Sequence, residues 1–273
     1  MAVATVLQFA TERVNERLQG ADPSVALERF VNYPEGAGKD KFELNPKFWA
    51  KGIDFSCVSP WNSAGGSTRA GTLISKRHII FAKHFPMGKG TRILFVGEDG
   101  GVCPCYVEAT KVAASDIMIG LLNAEVTPNI HPAKILPPDF GKYIGDGKGM
   151  PVGTFNQREK LFLTVAYTFP KEYAPYLGIA SRAPSDERWG RFREKIIKGD
   201  SGDPAFLLIG NDAVLIYCLS GGGFGSGPGI HIFRKQIQAT MDELCPGYKL
   251  ECFDFSGMGK GSQPFRCIVE KGE

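Results

Sequence analysis

The sequence predicts an all-β fold with helices at its two ends. Glycine (34) and proline (18) are plentiful in a chain of 273 residues that is 43% hydrophobic, a balance that suits short strands and many turns. From Ile53 onward the apolar residues come in short runs, GTLIS, HIIFA, RILFV, IMIGLL, FLTVAYTF, AFLLIG and AVLIYCL, each closed by Gly, Pro, Asn or Asp. Helical spacing is confined to the two termini.

At the N-terminus, ATVLQFATERVNERLQ puts Val6, Leu7, Ala10, Val14 and Leu18 on one stripe, with charges opposite, and predicts an amphipathic helix. A second helix is expected in DPSVALERFVNY, with Asp22 as cap, Pro23 at the first helical position and Val25, Leu27, Phe30 and Val31 as apolar contacts. PEGAGKDKFELNP breaks the pattern and reads as a linker. A proline-bearing stretch, His131–Gly149, divides the strand-rich region into two comparable halves, and HIFRKQIQATMDEL returns to helical spacing.

Composition excludes several functions. The 32 Lys+Arg against 29 Asp+Glu leave +3, with no long block of one sign, so neither nucleic acid nor a membrane surface is an expected partner; peptides, proteins or small molecules are. The longest apolar run, Ala213–Leu219, is far too short to span a bilayer. Glu12, Arg13, Glu16 and Arg17 stand where a signal peptide needs an uncharged centre, so no targeting segment is expected within the chain; a secreted or periplasmic home is favoured if a leader has been trimmed. Seven cysteines is an odd count, leaving at least one thiol outside any intrachain bridge. Cys103 and Cys105 share a strand face at the upper limit of disulfide reach, and no bridge is expected there; Cys245, Cys252 and Cys267 could hold one. With no CxxC or HExxH pattern, neither a metal site nor a cofactor is expected.

The chemistry centres on GDSGDP, residues 199–204. The hexapeptide reads as a tight turn or as a nucleophile. A serine hydroxyl needs a base to accept its proton and a third group to orient that base; flanking glycines let backbone N–H groups approach a reacting carbonyl. A histidine in a suitable setting ends the stretch RAGTLISKRHIIFAKHF, thirteen positions after Gly71. Asp116 opens the apolar run in ASDIMIGLL, and CLSGGGFGSGPGIHIF lies downstream. In this order the four segments resemble the motifs of trypsin- and chymotrypsin-like serine proteases, over roughly residues 53–244. The chain order histidine, aspartate, serine is that of chymotrypsin and differs from subtilisin and the α/β-hydrolases.

The resemblance implies two packed six-stranded antiparallel β-barrels, about residues 52–133 and 145–232, a terminal helix at about 232–244, an N-terminal extension over 1–50 and a tail over 245–273. It implies a serine endopeptidase in which Ser201 attacks, His84 moves the proton, Asp116 orients the imidazole, and the N–H groups of Gly199 and Ser201 form an oxyanion hole. It also implies a specificity pocket lined by Lys195, Ile196, Gly222, Gly229 and His231, where Lys195 with His231 would favour an acidic residue before the cut. Ser220, Gly221 and Gly222 would pair with the substrate backbone. Several positions depart from the family's pattern. Phe85, Arg69 and Ile197 stand where disulfide cysteines are common, which points to a bacterial or otherwise divergent member, and Asp203 replaces a glycine. There is no Arg-Ile-Val-Gly-Gly activation site, so Asp200 must find a cation or donor other than a newly cut N-terminus. Lys195 alone reads equally as a solvated loop lysine, and His78 and His131 as ordinary histidines. The N-terminal helices read as a packing extension, with a protein contact as the alternative. Two other classes stay open: a catalytically silent binding module on the same fold, and an esterase using the same three residues.

Overall fold

A computed structural model describes residues 3–31, 41–60, 70–170 and 178–259. Arg69 and Cys267 lie outside the described residues. Helix α1 (Val3–Leu18) presents Val6, Ala10, Val14 and Leu18 fully inward, as the stripe predicts.

The second predicted helix is a single turn, α2 (Pro23–Ala26), capped by the Asp22 carboxylate accepting from the Ser24 N–H at 3.0 Å. Tertiary pairing overrides helical spacing after that turn. Glu28 bridges to Lys160 and Phe30 to Leu44, the Arg29 N–H donates to the Glu159 carbonyl at 2.9 Å, and the Arg29 side chain is buried with its guanidinium on Val96 O and Glu98. Val25 and Val31 are left exposed. The expected linker over residues 34–46 also pairs at its far end: Phe42 is buried against Phe30 with ring centroids 5.0 Å apart.

The strands form two sheets. The first comprises β1 (Thr72–Leu73), β2 (His78–Ala82), β3 (Arg92–Val96), β4 (Val102–Ala114) and β5 (Ile117–Leu122), in the order β1-β2-β5-β4-β3. The second comprises β6 (Lys134–Ile135), β7 (Pro151–Phe155), β8 (Leu161–Thr168), β9 (Ile179–Arg182), β10 (Pro204–Ile209), β11 (Asp212–Cys218) and β12 (Ser226–Gly227), in the order β12-β9-β8-β7-β10-β11-β6. Both are curled and, but for the parallel edge pair β6–β11, antiparallel. Among the described residues the strands therefore divide five and seven rather than six and six. The long β4 serves β3 with its first half and β5 with its second, which curls the sheet on itself.

The core runs from one sheet to the other. Phe55, ahead of β1, packs edge-on against Phe155 and Phe206 of the second sheet, and the Trp49 indole N–H donates to Leu161 O at 2.7 Å. Three short helices complete the fold: α3 (Gly141–Ile144), α4 (Glu187–Gly190) and α5 (Arg234–Leu244). Helix α5 turns Ile237 and Met241 inward and packs on β4 and β5. The tail beyond it pairs too, with Phe253 N–H donating to Ile135 O at 2.8 Å and the Phe255 ring stacked on Tyr143. Cys103 and Cys105 are buried free thiols with sulfurs 4.0 Å apart.

His78, fully buried on β2 with Nδ1 2.8 Å from Ser75 Oγ, makes the fold acid-sensitive. Burial lowers its pKa to about 4, below the ~6.5 of an unfolded histidine. The unfolded state thus takes up a proton first as pH falls. His78's contribution is complete above about pH 6.5 and is lost on descending to about 4, a cost on the order of 3 kcal/mol. Urea unfolding between pH 7 and 4 is expected to show a markedly flatter pH dependence in His78→Gln.

Candidate active site

Each of the three chemistry-bearing residues stands at the end of a rigid element. His84 is the second residue after β2, and its strand end is tied down by the Lys83 N–H donating to Asp116 O at 3.1 Å. Asp116 sits in the tight turn between β4 and β5, where Ser115 takes a positive φ of 46°. Ser201 occupies the turn entering β10, between Gly199 (φ +108°) and Gly202 (φ +92°). A Cβ on Gly202 would lie 3.5 Å from the Ala82 nitrogen, so this turn of the second sheet abuts the end of β2.

These turns bring the three side chains together. Asp116 Oδ2 is 2.6 Å from His84 Nδ1, and His84 Nε2 is 2.9 Å from Ser201 Oγ. Asp116 Oδ1 also accepts the His84 backbone N–H at 2.9 Å. Nδ1 faces a carboxylate, which can only accept when ionised, so Nδ1 carries the ring proton and Nε2 is left to accept from the serine hydroxyl. The imidazole is about half exposed and the carboxylate less so, which leaves a reactant room to approach.

The serine turn is clamped from behind. Gly202 N–H donates to Leu219 O at 2.9 Å, and Leu219 N–H to Asp203 O at 2.8 Å. Asp200 is fully buried; Ile197 N–H donates to its Oδ2 at 2.8 Å, and the backbone N–H and side-chain Nε2 of Gln157 both donate to its Oδ1 at 3.2 Å. Among the described residues, these N–H groups are the donors Asp200 finds. Asp203 keeps an ordinary negative φ, so the turn does not require the family's glycine there. Its buried carboxyl is pushed well above the usual range by desolvation, then by the Glu159 and Asp200 charges. Cys218, buried on β11, is likewise held as an inert thiol, chiefly by desolvation and then by Asp203 and Asp116.

Beside Ser201 lies a cleft of about 210 Å3 lined by Ile196, Ile197, Lys198, Leu219 and the Ser220–Gly222 backbone. Its walls differ from the expected ones. Lys195 is exposed outside the lining, and the lysine within it is Lys198. His231 is buried, stacked on Phe169 and edge-on to Phe140, with Nε2 on Pro170 O at 2.9 Å. Burial lowers its pKa, which disfavours a positive charge there, and Gly229 lies beside its ring, where an added Cβ would meet it, and is not part of the lining. Ser220 and Gly221 both donate their N–H groups to Ser226 O, at 2.9 and 3.1 Å, leaving less of that edge for an added strand than expected. His131 forms a second histidine–carboxylate pair, Nδ1 to Asp54 Oδ2 at 2.6 Å, but no serine or cysteine bonds its other nitrogen among the described residues. Nothing in the sequence marks Gln157 or Lys198: NQRE lies between two apolar runs with no chemical motif, and a lysine in a loop carries no signal of its own.

No family model matches the chain, and no curated protein matches it in sequence. Among solved structures it is similar to human heparin binding protein and to a mutant of that protein, also called CAP37. Each is 14% identical, with 71% of this chain and 94% of that chain covered, at a TM-score of 0.50. The likeness is one of fold: the two-barrel trypsin-like arrangement with its C-terminal helix.

Proposed function

We propose that this protein is a serine endopeptidase working through an acyl-enzyme. The observation that carries the reading is the unbroken relay from Asp116 through His84 to Ser201, at 2.6 and 2.9 Å. Ser201 Oγ bonds to the substrate carbonyl carbon as His84 Nε2 takes the hydroxyl proton. The resulting imidazolium is stabilised by Asp116 and gives that proton to the leaving amine as the C–N bond breaks. Water then attacks the ester by the same route in reverse roles, restoring the serine. Gly199 and Ser201 N–H groups stabilise the oxyanion in both halves; a donor of this type contributes about 3–4 kcal/mol.

A fluorophosphonate probe tests the reading, with labelling of the folded wild type and none of Ser201→Ala as the expected result. Turnover of casein against short-chain esters separates the endopeptidase from an esterase. A second reading, a binding module on this fold, is favoured by the description of the similar structures as heparin binding protein; absence of labelling together with retention on immobilised heparin would support it instead.

The pocket supports a preference for a medium-sized side chain before the cut, with a carboxylate favoured through Lys198 in place of Lys195. Lys198 is exposed, so its charge contributes no more than about 1 kcal/mol. Lys198→Glu is expected to move the ratio of kcat/KM for acidic against basic peptides roughly fivefold toward basic, read from a peptide-pool digest.

A further inference from the structure

We propose that Tyr217 limits the size of the residue accepted before the cut: its side chain closes the inner end of the cleft beside Ser201, which leaves room for valine, threonine or aspartate and excludes aromatic rings. The inference rests on the hydrolase reading, which makes that cleft the seat of a substrate side chain.

Tyr217 stands on β11, paired with Ala205 of β10, and is fully buried. Ile196 and Leu219 line the cleft, and both belong to the apolar packing that contains Tyr217. The three side chains meet at Gly225. A Cβ there would lie 2.8 Å from the Tyr217 hydroxyl, 3.1 Å from Ile196 Cδ1 and 3.2 Å from Leu219 Cδ2, so one point touches all three. Because Tyr217 has no exposed surface while the other two reach the cleft, the phenol lies on their inner side. Gly225 is buried with φ +104°, and the side chain it lacks leaves no spare room, since the tyrosine oxygen already stands there.

The phenol is held where it is. Its oxygen is 2.9 Å from Ser181 Oγ, and Ser181 is fixed in turn by its place on β9 opposite Ala166 and by its N–H donating to Gly225 O at 2.9 Å. From β12, a Cβ on Gly227 would stand 3.1 Å from both Cβ and Cδ2 of Tyr217, so the backbone closes on the ring from that side as well. The hydroxyl has its partner in Ser181 and asks for none from a substrate. Burial pushes its pKa up to about 12, which keeps this end of the cleft uncharged and leaves Lys198 as the charged side chain of the lining.

A cleft of about 210 Å3 is small beside ordinary ligand pockets, which run to roughly 300–1,000 Å3. A phenyl group entering it needs the volume that Tyr217 fills, and a close-packed interior does not yield that volume freely. The longer side chain therefore stops short and holds the scissile carbonyl away from Ser201, a misplacement that lowers kcat/KM.

The test begins with the wild type on a peptide pool, where kcat/KM for cleavage after Val is expected to exceed that after Phe by about 100-fold. Tyr217→Ala is expected to shift that ratio toward Phe by roughly tenfold or more, and a crystal of the variant soaked in phenol should hold phenol in the vacated space, open to the cleft. Tyr217→Phe keeps the ring and should keep the wild-type ratio. A wild type that cuts after Phe as readily as after Val overturns the proposal. So does a folded Tyr217→Ala with an unchanged ratio, or one in which Ile196 and Leu219 close over the gap and shut phenol out. Should Tyr217→Ala fail to fold, Tyr217→Leu, which shortens the same side chain, is read by the same two measurements. If the wild type neither labels with fluorophosphonate nor cuts any peptide, the hydrolase reading fails, and the phenol soak still decides whether Tyr217 closes the cleft.

Discussion

Ser201→Ala is expected to fold and melt as the wild type does while losing about four to six orders of magnitude in kcat. The side chain sits in a solvent-facing turn, and its hydroxyl makes one described bond, to His84 Nε2. Removing it leaves the Asp200 clamp and the Gly202–Leu219 bond untouched. What disappears is the atom that, in the proposed mechanism, forms the covalent intermediate. His84→Ala is expected to cost a similar factor, because an unassisted hydroxyl at neutral pH is a poor nucleophile. The double variant should be little worse than either alone, since the two residues act as one unit. Residual rate above that of water would come from the Gly199 and Ser201 N–H groups. Burst-phase acyl-enzyme formation and active-site titration measure the loss directly. A Ser201→Ala protein that still turned over at a tenth of the wild-type rate would sink the assignment.

The residues legible in the sequence were those whose local context carries the chemistry. HIIFAKH delivers a histidine from the end of a buried strand, and ASDIM opens a strand with an acid; the two residues are singled out by the order of four motifs similar to those of trypsin-like proteases, and apolar runs mark the strand ends. The stripe on α1 was legible for the same reason. What could not be read depends on partners far along the chain. Residues 27–30 have helical spacing, yet they pair with residues 44 and 160 and bury Arg29, and nothing nearby announces those partners. His231 looks like a pocket cation until Phe140, Phe169 and the Pro170 carbonyl close around it. An ungapped alignment cannot decide which lysine of EKIIKGD faces the cleft. That choice is made by Asp200, whose bond to the Ile197 N–H sets the curl of the loop. Gln157 is the extreme case, separated in sequence from the loop it holds by the whole of β8 and β9.

Asp116→Asn, a change of one atom, is expected to lower kcat by about 10⁴ with KM nearly unchanged. The carboxylate works with both oxygens as acceptors, Oδ1 for the His84 backbone N–H and Oδ2 for Nδ1–H. An asparagine has one acceptor and one NH2 group. If its oxygen keeps the backbone N–H, the NH2 faces Nδ1 and drives the ring proton to Nε2, where it points at Ser201 and the base is gone. If it flips, the NH2 is set against the backbone N–H, two donors with no acceptor between them, and the strand end after Ala82 loses its tie. The first arrangement costs less, because Nδ1 can change tautomer and a backbone N–H cannot. The variant should therefore fold normally and bind substrate normally while its serine goes unactivated. Fluorophosphonate labelling, which needs the same proton removed, should slow in parallel with kcat, whereas Ser201→Ala abolishes it outright. Nitrogen-15 shifts of His84 would report the proton on Nε2 in the variant and on Nδ1 in the wild type. Activity within tenfold of wild type, or an unchanged tautomer, would mean that Asp116 holds the loop and takes no part in setting the base.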